Sequence, residues 1–107
     1  MSGADILKAL RTASLRPVTI AGLSFYVRGL TGEERKLLRE RARDGRPLEA
    51  YELVGLAACD ADGRALFTSE QVAELGQVDG AKVEEMAAEV LRASKLMPED
   101  GEASAGN

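Results

Sequence analysis

The stretch from Asp60 to Met97 commits this chain to short helices joined by tight turns. It reads D-A-D-G-R-A-L-F-T-S-E-Q-V-A-E-L-G-Q-V-D-G-A-K-V-E-E-M-A-A-E-V-L-R-A-S-K-L-M. Thr68 stands where it can N-cap a helix, with Gln71 at the N3 position of a capping box and Phe67 spaced to staple onto Val72. Gly76 ends that helix. Asp79 then caps the next one, and Val78 and Val83 repeat the staple spacing. Along this second helix Val83, Met86, Ala87, Val90, Leu91 and Ser94 recur at three- and four-residue steps, while Glu84, Glu85, Glu89 and Arg92 take the other side. The spacing predicts a helix-turn-helix-like pair with one continuous apolar face.

Upstream, P-V-T-I-A-G-L-S-F-Y-V-R alternates with period two. A turn at Ala21-Gly22 pairs Ile20 with Leu23 and Val18 with Phe25, and keeps Val27 on the same side, with Thr19, Ser24, Tyr26 and Arg28 facing away. That is a half-buried antiparallel hairpin, which needs helices to lie on. Ala-Gly is an unfavoured two-residue turn, so a four-residue loop is the alternative, with the register unchanged.

Three more helices follow from the pattern. Ile6, Leu7 and Leu10 give an amphipathic helix over Ala4 to Ala13, which docks on the core or stays mobile until a partner arrives. T-G-E-E at Thr31–Glu34 is a second capping box, opening a charged helix that runs to Asp44-Gly45 with Leu37, Leu38 and Ala42 as its few apolar residues. Pro47 suits the first turn of a third helix, in which Tyr51, Leu53, Val54, Leu56, Ala57 and Ala58 spread over several faces. Gly55 marks close packing against a neighbour, and a buried strand over residues 53–59 is the rival reading. The fold class expected is α+β and mainly helical: a small domain over residues 16–97, with an N-terminal antiparallel β-hairpin packed on about four helices. Residues 1–15 form the N-terminal helix, and the segment from Pro98 to Asn107 has nothing to bury, so it is expected to be disordered.

A chain of 107 residues fits one domain, and its formal net charge of −4 is unevenly spread. Residues 1–46 carry ten Lys/Arg against five Asp/Glu; residues 47–107 carry four against thirteen. The acidic half opposes nonspecific nucleic-acid binding and favours charge-steered contact with protein partners or between copies of the chain. With Cys59 as the sole cysteine, no internal disulfide forms and a reducing compartment fits. No apolar run approaches a membrane span, and the first residues lack the pattern of a secretion signal, so a cytoplasmic protein is expected.

Candidate chemistry is sparse. Asp60-x-Asp62-Gly63 invites a calcium-loop reading, but with Gly63 at the loop glycine the first and twelfth ligands become Ala58 and Ser69, and Glu70 comes one place late. A hydrated turn is preferred. Cys59 has no histidine or second cysteine to activate it, since the chain contains no His. The adjacent carboxylates Glu33-Glu34 and Glu84-Glu85 diverge on their helices and form no dyad. No glycine-rich phosphate loop is present. No catalytic residue, metal site or cofactor is expected.

Two surfaces stand out. Arg35, Arg39 and Arg43, four apart, make a basic stripe for an acidic partner or nucleic acid; the plainer reading is a solvated face with Lys36–Glu40 and Glu40–Arg43 pairs. No aromatic residues are interleaved to stack bases. Met86 and Met97 fall on one edge of the last helix's apolar stripe, beside Ala93, in a stripe that also holds Val90 and Leu91. Such an edge suits a partner's helix, or else simply fills the core.

The order of elements adds a further reading. A hairpin ending V-R-G-L-T-G-E-E-R, a charged helix, an apolar helix, then D-A-D-G-R-A-L-F-T-S-E-Q-V-A-E-L-G and a final amphipathic helix resembles the tail assembly chaperones of long-tailed phages over residues 16–97. The pieces carrying the likeness are V-R-G-L-T-x-x-E-R and D-x-D-G-x-x-L-F-T-x-E-x-V-x-x-L. The resemblance implies a small protein of the host bacterial cytoplasm that binds the tape-measure protein, keeps it soluble and promotes polymerisation of the tail-tube protein around it. It also implies self-association, a longer frameshifted form, and no catalytic residues. In such a protein Met86, Met97, Val90 and Leu91 would contribute the partner surface. The alternative is a small DNA-associated regulator working through Arg35, Arg39 and Arg43.

Overall fold

The period-two segment closes into a hairpin with the expected pairing. In the computed structural model, which describes residues 1–99, β1 (Arg16–Ile20) and β2 (Leu23–Val27) are antiparallel, with Val18 opposite Phe25 and Ile20 opposite Leu23. The loop has two residues, and both Ala21 (φ 54°) and Gly22 (φ 78°) are left-handed. Two positive φ values in a two-residue hairpin loop are the signature of a type I′ turn, whose twist matches that of the strands. The wider loop is thereby excluded, and an alanine occupies a position that suits Asn or Gly.

Around the hairpin lie α1 (Gly3–Ala13), α2 (Gly32–Arg43), α3 (Ala50–Ala57), α4 (Ser69–Leu75) and α5 (Gly80–Ala93), with β3 (Ala58–Cys59) directly after α3. The molecule is α+β, five helices with a three-stranded antiparallel sheet in the order β1-β2-β3. The caps are where local chemistry puts them. Thr31 Oγ1 accepts from Glu34 N, Thr68 Oγ1 accepts from Gln71 N, each capping box is closed by its N3 side chain, and Asp79 accepts from Ala81 N. Pro47, however, does not open α3. That helix begins at Ala50, behind a capping box formed by Glu49 and Glu52.

Residues 53–59 resolve as helix and then strand. Leu53 to Ala57 complete α3; Ala58 turns extended (φ −68°, ψ 131°) and pairs with Val27, as Cys59 does with Tyr26. A tight turn follows in which Asp60 Oδ1 accepts from Asp62 N and Arg64 N, and the chain returns to bridge Ala65 to Cys59.

The apolar sides of α4 and α5 expected from residues 60–97 both pack on α3, and α5 also covers β1 and β2. The centre is therefore α3, with Leu53, Val54 and Ala57 buried against Val83, Ala87 and Val90 of α5 and against Val18, Val27 and Leu30. Val27, Val54 and Val90 are wholly enclosed, each contributing about 1.5–3 kcal/mol of burial. Gly55 is where α4 comes closest: a Cβ there would lie 2.6 Å from a Val72 methyl. α2 contributes no buried residue and lies on the domain through half-buried Leu38.

Two residues of the segment expected to be disordered are described, and both are bonded. Glu99 takes Arg16 Nη1 and Nη2 at 2.6 and 2.8 Å, and Pro98 O accepts from Arg92 Nε. Residues 100–107 of that segment lie outside the described residues.

Candidate interaction surfaces

The groups singled out for chemistry are committed to structure. The Asp60 carboxylate holds its own turn, and the N–H bonds from Arg64 and Asp62 keep it below the usual carboxylate range. Cys59 is buried, and that burial pushes its thiol up, with Asp60 adding and Arg28 opposing. It stays protonated near neutrality. Among the described residues no group of His, Cys, Asp or Glu is arranged to hold a metal ion.

The basic stripe on α2 is not a unit. Arg35 turns inward, and its Nη1 donates to Ser94 O at 2.8 Å, capping the carbonyl end of α5. Arg39 and Arg43 remain exposed, with no ion-pair partner among the described residues. Lys36 and Glu40 stand 3.9 Å apart, at the limit of an ion pair. A patch for a nucleic acid is thus reduced from three cations in a row to two.

The Met86–Met97 edge also divides. Val90 is 0% exposed and sits in the core, so it offers nothing to a partner. This corrects its place in the expected surface. α5 turns that residue toward α3 and the sheet, and periodicity alone does not say which edge of a stripe is covered. Met86 and Leu91 are half-buried against the core, and Met97 is half-buried past the end of α5.

The largest uncovered apolar feature is instead α1. Ile6, Leu7 and Leu10 are 46%, 54% and 63% exposed, although they form the stripe of an amphipathic helix. Leu7 and Leu10 line an open groove of about 720 Å³. The segment Arg28–Gly32, Ala93 and Ser94 at the end of α5, and Asp62 with Gly63 line the same groove. Leu15 and Leu30 add apolar lining. The α5 end is rigidly held: buried Ser94 Oγ accepts from Leu30 N at 2.9 Å and donates to Val90 O at 2.7 Å. At Gly29 a Cβ would lie 3.0 Å from Ala93 O, a tight contact that α5 would have to yield to by a few tenths of an ångström.

No family model, curated protein or solved structure matches this chain.

Of the residues expected to bind a partner, the structure gathers none into the groove. Leu7 and Leu10 were legible as an amphipathic stripe, but nothing in their spacing distinguishes a docked helix from one standing off the domain. Leu37, Leu48, Leu56 and Val72 line a smaller groove of about 310 Å³ between α2, α3 and α4, edged by the Arg41–Glu52 pair. Among the described residues no helix is long and apolar enough to cross a membrane.

Proposed function

We propose that this chain is a tail assembly chaperone of a long-tailed phage. It binds the tape-measure protein in the host cytoplasm, keeps that helical polypeptide soluble and promotes polymerisation of tail-tube subunits around it. The observation carrying the reading is the uncovered stripe of Ile6, Leu7 and Leu10 beside an open apolar groove. A helix of 11 residues is marginal alone in water. With its apolar face uncovered, it is suited to take up a second helix at i, i+3, i+4 spacing. The motifs V-R-G-L-T-x-x-E-R and D-x-D-G-x-x-L-F-T-x-E-x-V-x-x-L, which carry the likeness to such chaperones, support the same assignment.

The partner surface in this proposal is centred on α1, with half-buried Met97 as a peripheral contributor and Val90 excluded. Coexpression with the tape-measure protein tests it. The wild-type chain is expected to raise the soluble fraction of the tape measure and to copurify with it, and Leu7→Glu with Leu10→Glu is expected to remove both effects while circular dichroism stays unchanged. A tape measure that remains insoluble with the wild-type chain refutes the proposal.

A further inference from the structure

We infer that the free edge of β1 is an interface between two copies of this chain, which pair antiparallel about a two-fold axis at Thr19 and join their sheets. The inference goes beyond the chaperone reading, because it concerns a different face of the molecule and a different occupant.

Among the described residues β1 is paired on one side only, the sheet order being β1-β2-β3. The ladder fixes which main-chain groups its open side offers. Arg28 N donates to Ala57 O and Tyr26 pairs with Cys59, so the even positions of β2 face β3. Leu23, Phe25 and Val27 therefore bond to Ile20, Val18 and Arg16. Pro17, Thr19 and Ala21 are left with their main chain outward, and Pro17 and Thr19 are exposed. Thr19 offers a donor and an acceptor, while Pro17 offers an acceptor alone.

A two-fold at Thr19 suits that set. The two Thr19 residues exchange N–H···O=C bonds, and each Ala21 N–H meets the Pro17 carbonyl of the other copy. The donor that proline lacks is then missing only at the last rung, beside the turn, where the Ala21 carbonyl stays in water. On the α5 side the same register sets Val18 opposite Ile20 of the second copy, in a non-hydrogen-bonded pair whose side chains lie close. That pairing covers Ile20, which is only partly buried in the single chain.

α5 supplies the other half of the contact. Val18 and Ile20 share an open groove of about 440 Å³ with Glu85, Ala88 and Arg92, which lie on one stripe of that helix with small Ala88 in the middle. The charges around the groove balance, Arg16, Lys82 and Arg92 pairing with Glu85, Glu89 and Glu99, so no net charge repels a second copy. The two-fold turns the second α5 antiparallel to the first, which sets Glu85 of each copy opposite Arg92 of the other, with Ala88 at the axis. Such a contact is isologous and closes at two copies. The far side of β3 is bridged by Ala65, so the joined sheet does not grow from its other edge.

The test is sedimentation equilibrium of the full chain over a range of concentrations, with no partner added. A concentration-dependent dimer is expected. Thr19→Lys, which sets like charges directly opposite each other on an exposed face, is expected to weaken it about tenfold with circular dichroism unchanged. Thr19→Cys is expected to give a covalent dimer under mild oxidation, because the two positions face each other at the axis. Ser24→Cys, on the same face but one strand further in, is expected to give none. Native Cys59 is buried and does not compete. Each of the following overturns the inference: a monomer at every concentration, a dimer that Thr19→Lys leaves intact, no covalent dimer of Thr19→Cys, or equal cross-linking of Ser24→Cys. A dimer dissociated by Leu7→Glu with Leu10→Glu would place the contact on α1 and overturn it too. Because the tape measure is absent from these measurements, their outcome is separate from that of the coexpression test.

Discussion

Arg28 and Glu34 join the end of the sheet to the start of α2 through two parallel bonds, Nη1 to Oε1 at 2.7 Å and Nη2 to Oε2 at 2.9 Å. The same carboxylate accepts Thr31 N at 2.9 Å, and the same guanidinium donates to Leu56 O at 2.6 Å. One ion pair thus ties the hairpin, the α2 cap and α3 together. It also holds the Arg28–Gly32 segment that lines the groove.

A pH dependence follows. Burial pushes the Glu34 carboxyl up, but the bonds from Arg28 and Thr31 outweigh it and hold the group below its ordinary value of 4.5. A carboxyl depressed in the folded state stabilises above its unfolded value, and that contribution disappears as pH falls through the folded one. Glu34→Gln is expected to cost about 2 kcal/mol at neutral pH, the scale of charge-assisted bonds left half-made. Below pH 4.5 the gap between the two proteins is expected to close. Urea midpoints at a series of pH values measure it; a gap that stays constant into strong acid would show that the pair contributes no linkage.

The contact between Gly55 and Val72 makes a sign prediction. Alanine in place of a helical glycine gains about 1 kcal/mol of propensity, yet here the new Cβ meets a Val72 methyl at 2.6 Å and overpacking costs roughly 1–3 kcal/mol. Gly55→Ala is expected to destabilise the wild-type protein by about 1 kcal/mol and to lose that penalty in a Val72→Ala background. If the effect has the same size in both, the close approach of α3 and α4 is not what the glycine serves.

How far the sequence carried depended on whether a feature is set locally. The hairpin register followed from Val18, Ile20, Phe25 and Val27 because a one-residue slip would turn all of them to solvent. The Thr31, Thr68 and Asp79 caps followed because each is completed within three residues. The switch from α3 to β3 was not legible. Residues 53–59 are apolar throughout, and only pairing with Tyr26 and Val27, more than 30 residues away in the chain, makes Ala58 and Cys59 extended. Two residues of the candidate surfaces were misplaced for the same reason. Arg35 leaves its stripe to reach Ser94, and Val90 leaves its edge to enter the core, through contacts that no periodicity contains.

Ala21 offers a gain in stability. An L residue other than Asn or Asp in the left-handed region costs roughly 1 kcal/mol, and Ala21 sits there at φ 54°. Ala21→Asn is expected to stabilise the domain by about 0.5–1 kcal/mol, visible as a higher thermal midpoint with unchanged circular dichroism. No gain, or a loss, would argue that the turn in solution is not type I′.

Ser94 is the buried polar side chain of the core, and it serves as a junction. Its hydroxyl is the partner of Leu30 N, and removing it leaves a buried N–H without an acceptor. Ser94→Ala is expected to cost about 1–3 kcal/mol in chemical denaturation. A near-neutral result would mean that Leu30 N finds water from the groove beside it.

The last expectation concerns α1 in the free protein. Its aliphatic residues bury little, and its 11 residues are too few for a stable isolated helix. Its local opening free energy should therefore lie far below that of the domain. By hydrogen exchange, amides of Leu7, Lys8 and Leu10 are expected to exchange orders of magnitude faster than those of Ala87 and Val90 in α5, whose side chains are enclosed. Adding the tape-measure protein is expected to slow exchange in α1 selectively. Protection of α1 equal to that of α5 without any partner would show that the helix is already docked, and would leave the groove with no apolar wall to offer.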